Sequence, residues 1–239
     1  MVIRMVRGLS ARPGVTSAPA PVVLRVVDLA DPRWDVAAEA GCLDDDERAR
    51  AGRGTDAVRR RRVLVRACLR RVLGDLLGTG PADVPLRSDD GRPFLPGDPL
   101  RFSCTASADL ALVAVARRGL VGVDVQRHRP EEARDAAAED WLSDVELARL
   151  RALGDEDRPR AVTRAWTQKE AVAKARGTGI LRSPVDLVTP VADRGRVGGL
   201  FLSPVPVPPG YVASLATTVP PDPDPDAINP VALTPGGTR

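Results

Sequence analysis

Residues 161–179, AVTRAWTQKEAVAKARGTG, decide how this chain is read. Val162, Trp166, Ala173 and the aliphatic stem of Lys169 recur at helical spacing, so the stretch predicts a helix with one face on a core. Gly177 and Gly179 stand where that helix ends, because glycine accepts the left-handed backbone that closes a last turn. Glu170 and Lys174 are four residues apart, so they share a face and can act on one ligand. Of the 35 basic residues, only Lys169 and Lys174 are lysine. Arginine is a planar fork that keeps its proton, whereas lysine is a compact charge that can release it. Two lysines around Glu170 therefore point to chemistry, or to an exposed ion pair worth ~0.3–0.5 kcal/mol.

Upstream, VGVDVQ at 121–126 alternates as a strand, with Val121, Val123 and Val125 on one face and Gly122, Asp124 and Gln126 on the other. An acid in such a strand costs desolvation unless it is paired, holds a metal or lies at a solvated edge. Asp124 and Gln126 project side by side, a geometry suited to two oxygen ligands on one hard cation. Between strand and helix, 130–153 is predicted helical, with Trp141, Val145, Leu147 and Leu150 as buried candidates and Ser143 opening a capped turn, SDVE. Beyond the helix, 184–191, 200–207 and 211–217 are predicted strands.

The first part of the chain repeats the pattern loosely. Strand candidates lie at 22–27, 101–107 and 110–116, a short helix at 43–53, and a long amphipathic helix at 57–77. Residues 78–100 are predicted loops, with Gly91-Arg92-Pro93 as a tight turn. Ten arginines and one acid, Asp56, fall between Arg48 and Arg71. They form either a wet helix start or a phosphate-binding rim in which Arg48, Arg50 or Arg53 grips a phosphate. We expect an α+β fold of two similar α+β halves, in a pseudo-two-fold arrangement with the active site in the cleft between them. The expected divisions are a flexible leader at 1–20, an N-terminal half at 21–118, a C-terminal half at 119–219 and a disordered or extended tail at 220–239.

Composition narrows the function. No apolar run approaches the roughly 20 residues of a membrane helix. Cys42, Cys68 and Cys104 are odd in number and far apart, which argues for a reducing cytoplasm and against a zinc or disulfide framework. His128 is the only histidine, so a nucleophile–histidine mechanism is not expected. The net charge of +3 favours an acidic partner or a phosphate-rich ligand. With seven aromatic residues, the chain lacks the stacking surface of a nucleic-acid binder.

These residues resemble a known family. G-V-D-V-Q at 122–126 and W-T-Q-K-E-A-V-A-K-A-R-G-T-G at 166–179 are similar to the signature of Sfp-type 4′-phosphopantetheinyl transferases, G-[IV]-D-[IV]-E and W-x-x-K-E-[SA]-x-x-K-x-x-G-x-G. Gly91-Arg92-Pro93 resembles the family's G-K-P turn, and Phe102–Ser107 stands where the family has F-N-[IVL]-S-H-S. The resemblance spans roughly 22–218. It implies transfer of the phosphopantetheine arm of coenzyme A to a serine of an apo acyl or peptidyl carrier protein, with Mg²⁺. Asp124 and Glu170 would hold the metal, with Gln126 beside them. Glu170 would activate the serine, and Lys174 would stabilise or protonate the leaving 3′,5′-ADP. Arg48 or Arg53, Arg92, Thr105 and Ser107, with Lys169 and Lys174, would bind coenzyme A.

The sequence departs from the family at three of these positions. Gln126 replaces the second acid, Ala106 the histidine and Ser103 the asparagine. An arginine is expected to stand in for the histidine. The alternative expectation is a weak or inactive relative that binds coenzyme A or a carrier protein. Two similar halves in one chain suggest a monomer, and the cysteine usage a cytoplasmic one, with no nucleic-acid or membrane partner expected. The Ala-, Arg- and Pro-rich composition suits a GC-rich bacterial genome, in which enzymes of the family it resembles often serve polyketide, nonribosomal peptide or fatty acid synthesis, including antibiotic biosynthesis and other secondary metabolism.

Overall fold

The computed structural model describes residues 22–89, 91–137, 140–178, 183–220 and 230–236. The expected leader, Gly179 and residues 221–229 of the expected tail lie outside them. In chain order the first elements are β1 (Val22–Asp28), α1 (Val36–Ala40), α2 (Asp45–Ala51), α3 (Asp56–Leu77), β2 (Arg87–Asp89), β3 (Arg92–Phe94), β4 (Arg101–Ser107) and β5 (Leu110–Ala116). Then come β6 (Val121–Arg127), α4 (Pro130–Ala136), α5 (Asp144–Arg151), α6 (Arg158–Arg176), β7 (Gly195–Val197), β8 (Leu200–Pro204), β9 (Tyr211–Thr217) and β10 (Val231–Ala232).

Two four-stranded sheets result, ordered β10-β1-β5-β4 and β6-β9-β8-β7. All strand pairs within them are antiparallel except β1 with β10. β5 is buried along its whole length, as its unbroken apolar run, LALVAVA, requires. One of its faces, with Val113 and Val115, packs on Leu69, Val72 and Leu73 of α3. The other, with Leu112 and Ala114, shares a core with Leu24, Val123, Val125 and Leu215. The two sheets therefore enclose one core. α6 covers the second sheet from the other side, where Ala171, Val172 and Ala175 meet Leu200, Leu202 and Ala216.

Gly122 sets how close α6 comes. A Cβ at that position would stand 2.0 Å from the Ala171 carbonyl oxygen and 2.5 Å from the Ala175 nitrogen. Only glycine lets the helix backbone rest on the strand. This contact brings the face of α6 that carries Glu170 and Lys174 onto the face of β6 that carries Asp124.

The edge of β6 not paired with β9 lies beside β4, and side chains join the two. The Val123 N–H donates to Ser103 Oγ (3.1 Å) and the Arg127 N–H to Ser107 Oγ (2.9 Å). Hydroxyls at alternate positions of β4 thus take up strand donors that a backbone ladder would otherwise use.

Several sequence expectations need correction. Residues 130–153 form two helices, not one, and Val145 is 50% exposed. The inward face of α5 is carried instead by Glu146 and Leu150, which are four residues apart. Residues 184–191 are not a strand but a 3₁₀ turn (Pro184–Asp186) followed by irregular backbone. Pro184 and Pro190 have no N–H to give a ladder. β8 stops at Pro204, and the expected loops at 78–100 contain the β2–β3 hairpin, turned at Gly91 (φ +80°). Within the expected tail, Val231 and Ala232 pair with Arg25 and Val26, and the Leu233 N–H donates to the Val26 carbonyl at 2.9 Å.

Candidate active site

Asp124 is 2% exposed. A buried carboxylate needs partners, and three side chains supply them. Oδ1 accepts from Thr105 Oγ1 (2.9 Å) and from Lys174 Nζ (2.6 Å), and Oδ2 accepts from Gln126 Nε2 (3.1 Å). Ser107 Oγ donates to Gln126 Oε1 at 3.5 Å. Asp124, Gln126, Thr105, Ser107 and Lys174 are therefore one group, drawn from β4, β6 and α6.

Glu170 completes the group electrostatically. Burial pushes its carboxyl above the usual range, the neighbouring Asp124 charge adds to that, and Lys174 opposes it. Two carboxylates close enough to affect each other's charge offer oxygen ligands of the kind a hard cation takes. Among the described residues, no three or more His, Cys, Asp or Glu side chains gather as metal ligands. A divalent ion here would take Asp124 and Glu170 from the chain, and its other ligands from water and substrate. Gln126 points its amide nitrogen at Asp124, so serving as an oxygen ligand requires the amide to turn over.

Beside this group opens a cleft of about 480 Å³, lined by Arg50, Arg53, Arg61, Arg62, Arg66 and, on β4, Cys104 and Ala106. The single acid on its lining among the described residues, Glu47, is engaged by Arg70 at 2.7 Å and by Arg66 at 3.4 Å. Among the described residues, Arg66 Nη1 is buried without a hydrogen-bond partner. A second cavity of about 200 Å³ is lined by Arg92, Pro93, Phe102, Ser103, Cys104, Lys174 and Gly177. Cys104 borders both, so the cavities adjoin along β4. Arg92 Nη1 donates to the Gly177 carbonyl at 2.8 Å. Gly177 has φ +72°, and a Cβ there would lie 2.1 Å from that nitrogen.

The structure separates the sequence candidates. Asp124, Gln126, Glu170 and Lys174 come together; Arg53 lines the large cleft and Arg92 the small one. Thr105 and Ser107 face β6 and Asp124 rather than the arginine cleft. Arg48 folds back on its own turn, pairing with Asp45 at 2.6 Å and with the Leu43 carbonyl, and is absent from the lining. Lys169 is the clearest correction: it is 0% exposed and bound to Glu146 at 2.8 Å, because its side chain points to α5 rather than to the site. His128 lies apart, with Nδ1 2.9 Å from Thr163 Oγ1. The sequence reading overlooked Arg61, Arg62 and Arg66 as cleft residues. The spacing of Arg62 and Arg66, four apart on one helix face, was the available signal.

Residues 120–203 match the family described as the 4′-phosphopantetheinyl transferase superfamily. The chain is 34% identical over 177 residues to the 4′-phosphopantetheinyl transferase HetI of Nostoc sp., covering 71% of this chain and 74% of that protein. It is 37% identical over 140 residues to the L-aminoadipate-semialdehyde dehydrogenase-phosphopantetheinyl transferase of Eremothecium gossypii, covering 52% of this chain and 50% of that one. It is also 34% identical over 90 residues to the 4′-phosphopantetheinyl transferase AcpT of Salmonella typhimurium, covering 37% of this chain and 47% of that one. The chain thus spans about half the length of the last two relatives.

Proposed function

The chain belongs to the 4′-phosphopantetheinyl transferase superfamily, and from that membership we propose that it is an Sfp-type enzyme that moves the 4′-phosphopantetheine arm of coenzyme A onto a serine of an apo acyl or peptidyl carrier protein. The observation that carries this reading is the Asp124–Lys174–Glu170 group standing beside an arginine-lined cleft. A diphosphate substrate needs both: charge to hold its phosphates and an acid–base group at the bond that breaks.

In this reading the arginine cleft holds the nucleotide, with Arg53, Arg62 and Arg66 against its phosphates and Arg92 and Lys174 nearer the diphosphate. The serine oxygen forms the new bond to phosphorus, the phosphoanhydride bond breaks, and 3′,5′-ADP leaves. Glu170 receives the serine proton, for which a raised carboxyl is suited. Lys174 neutralises or protonates the departing phosphate oxygen; a lysine can give up a proton where arginine cannot. Asp124 and Glu170 would hold Mg²⁺, which when bound would supply charge neutralisation on the diphosphate. Thr105 and Gln126 orient the Asp124 carboxylate.

The α3-bearing and α6-bearing sheets support a pseudo-two-fold pair of halves, 21–118 and 119–219; the proposed enzyme is a monomer that works in the cytoplasm. The basic cleft suits an acidic carrier, and the proposed pathways are polyketide, nonribosomal peptide or fatty acid synthesis. The test is incubation with coenzyme A, Mg²⁺ and an apo carrier. Mass gain on the carrier serine is expected, and no gain where a known transferase modifies the same carrier would sink the proposal. The donor orientation of Gln126 and the bare Ala106 favour one second reading, a relative that binds coenzyme A without turnover. Calorimetry showing tight coenzyme A binding with no transfer would select it.

A further inference from the structure

Lys169 and Glu146 are both at 0% exposure. Lys169 Nζ donates to Glu146 Oε2 at 2.8 Å, to the Pro184 carbonyl at 2.8 Å and to the Leu187 carbonyl at 2.5 Å. That uses all three donors of an ammonium. Glu146 is filled in turn. Oε1 accepts the Thr189 N–H (2.8 Å) and hydroxyl (2.7 Å), and Oε2 accepts the Ser143 N–H (3.0 Å) and hydroxyl (2.9 Å). Side chains of α5 and α6 hold the same irregular segment further along. Arg149 donates to the Thr189 carbonyl at 2.6 Å, Arg164 to Val191 at 3.1 Å and Gln168 to Ala192 at 2.7 Å. One buried ion pair therefore ties together α5, α6 and residues 184–189.

On α6, Lys169 directly precedes Glu170, so the two side chains leave the helix about 100° apart. Glu170 and Lys174 look toward Asp124, and Lys169 looks toward α5. A saturated link at Lys169 resists rotation of α6 about its axis, alongside the Gly122 contact and the Thr167 Oγ1–Ser214 Oγ bond of 2.8 Å, and so bears on the place of the Glu170 carboxyl. The site encloses one carboxylate oxygen and two carbonyls. A five-donor guanidinium would leave N–H groups unpaired there. This accounts for a lysine in a chain that otherwise uses arginine.

We infer that Lys169 is a positioning residue: with Glu146 it sets the rotation of α6 that presents Glu170 to Asp124, and it touches neither coenzyme A nor metal. The inference rests on the transferase reading for what Glu170 does.

The test compares wild type, Lys169→Met and the double variant Glu146→Gln/Lys169→Met. The double variant removes both charges together, so neither is left buried alone, and it keeps a side-chain oxygen to accept from the Thr189 N–H and hydroxyl. Transfer is followed with coenzyme A varied, and Mg²⁺ alone is titrated calorimetrically. In each variant that folds, we expect kcat to fall ~10-fold or more, KM for coenzyme A to move less than ~2-fold, and Mg²⁺ affinity to fall ~10-fold. Unchanged kcat with a raised KM would overturn the inference in favour of direct contact with coenzyme A. Wild-type kcat and Mg²⁺ affinity in a folded variant would overturn it in favour of a purely structural pair. If wild type transfers nothing, the transferase reading fails alone, since the Mg²⁺ affinities still decide the positioning. If wild type also binds no Mg²⁺, both fail.

Discussion

Lys174 Nζ stands 2.6 Å from Asp124 Oδ1, joining α6 to β6 at the point where the acids gather. Asp124 is the more enclosed partner, with its side chain 3% exposed against 28% for Lys174. The lysine is therefore the member of the pair with access to a ligand. Its charge opposes the repulsion between Asp124 and Glu170.

Replacing Lys174 should separate rate from binding. Lys174→Arg keeps the charge but removes a releasable proton. We expect kcat to drop roughly 10²-fold, the lower range for loss of a general acid, while KM for coenzyme A changes by less than about 3-fold. Steady-state kinetics on a carrier protein check this. A raised KM with kcat unchanged would assign Lys174 to substrate binding alone.

The pH profile should report Glu170. Its carboxyl titrates above 4.5 because of burial first and Asp124 second. As a base it must be ionised, so transfer should fall at acid pH; a divalent ion held by Glu170 favours the ionised form, so that limb should move to lower pH as Mg²⁺ is raised. Stability carries the opposite sign. Between 4.5 and the raised value the folded chain binds more protons than the unfolded one, so without Mg²⁺ stability falls as pH rises through this window. Glu170→Gln should flatten that slope in denaturant titrations followed by circular dichroism.

The arginine cleft should set affinity. Arg53 lines it, and Ala106 forms part of its β4 wall. Arg53→Ser should raise KM for coenzyme A about 5-fold at low salt, a loss of ~1 kcal/mol for one charge-assisted contact, with kcat nearly unchanged. Ala106→His, which restores the family residue, should lower KM. A fall in kcat with KM unmoved in either variant would show that the nucleotide lies elsewhere.

Gly122→Ala should uncouple fold from site. The added methyl meets the Ala171 carbonyl and the Ala175 nitrogen, backbone atoms that cannot rotate away. Overpacking of this kind costs about 1–3 kcal/mol, a melting temperature lower by roughly 3–10 °C. Because relief requires α6 to move off β6, activity below the new melting point should also fall, by more than 10-fold. Full activity at 25 °C would mean that the helix position tolerates the shift.

The sequence made the site's acids and their lysine legible, because each sits in a strongly patterned element. VGVDVQ alternates, and residues 161–176 carry a helical stripe ended by Gly177. It made Lys169 look like a ligand because one-dimensional spacing does not say which neighbour a charge will meet. Its partner Glu146 lies 23 residues upstream, where SDVE read correctly as a helix cap but showed nothing of the second role. The expected strand at 184–191 failed for a related reason. Its β-branched residues suggest a strand, yet its carbonyls are satisfied by side chains from α5 and α6 that no local pattern reveals. Arg48 and Arg53 are alike by composition. The capping geometry of α2 decides that one turns back to Asp45 while the other faces the cleft.

The short pairing of β10 with β1 also shapes how this chain can be handled. Without residues 231–233, the outer side of β1 would present free backbone N–H and C=O groups next to Val22, Val26 and a half-covered apolar layer. Such an unprotected border invites a strand from another molecule. Shortened or tagged preparations that disturb this segment should therefore clump at concentrations where the intact chain stays dispersed, and light scattering would register the difference before any loss of secondary structure.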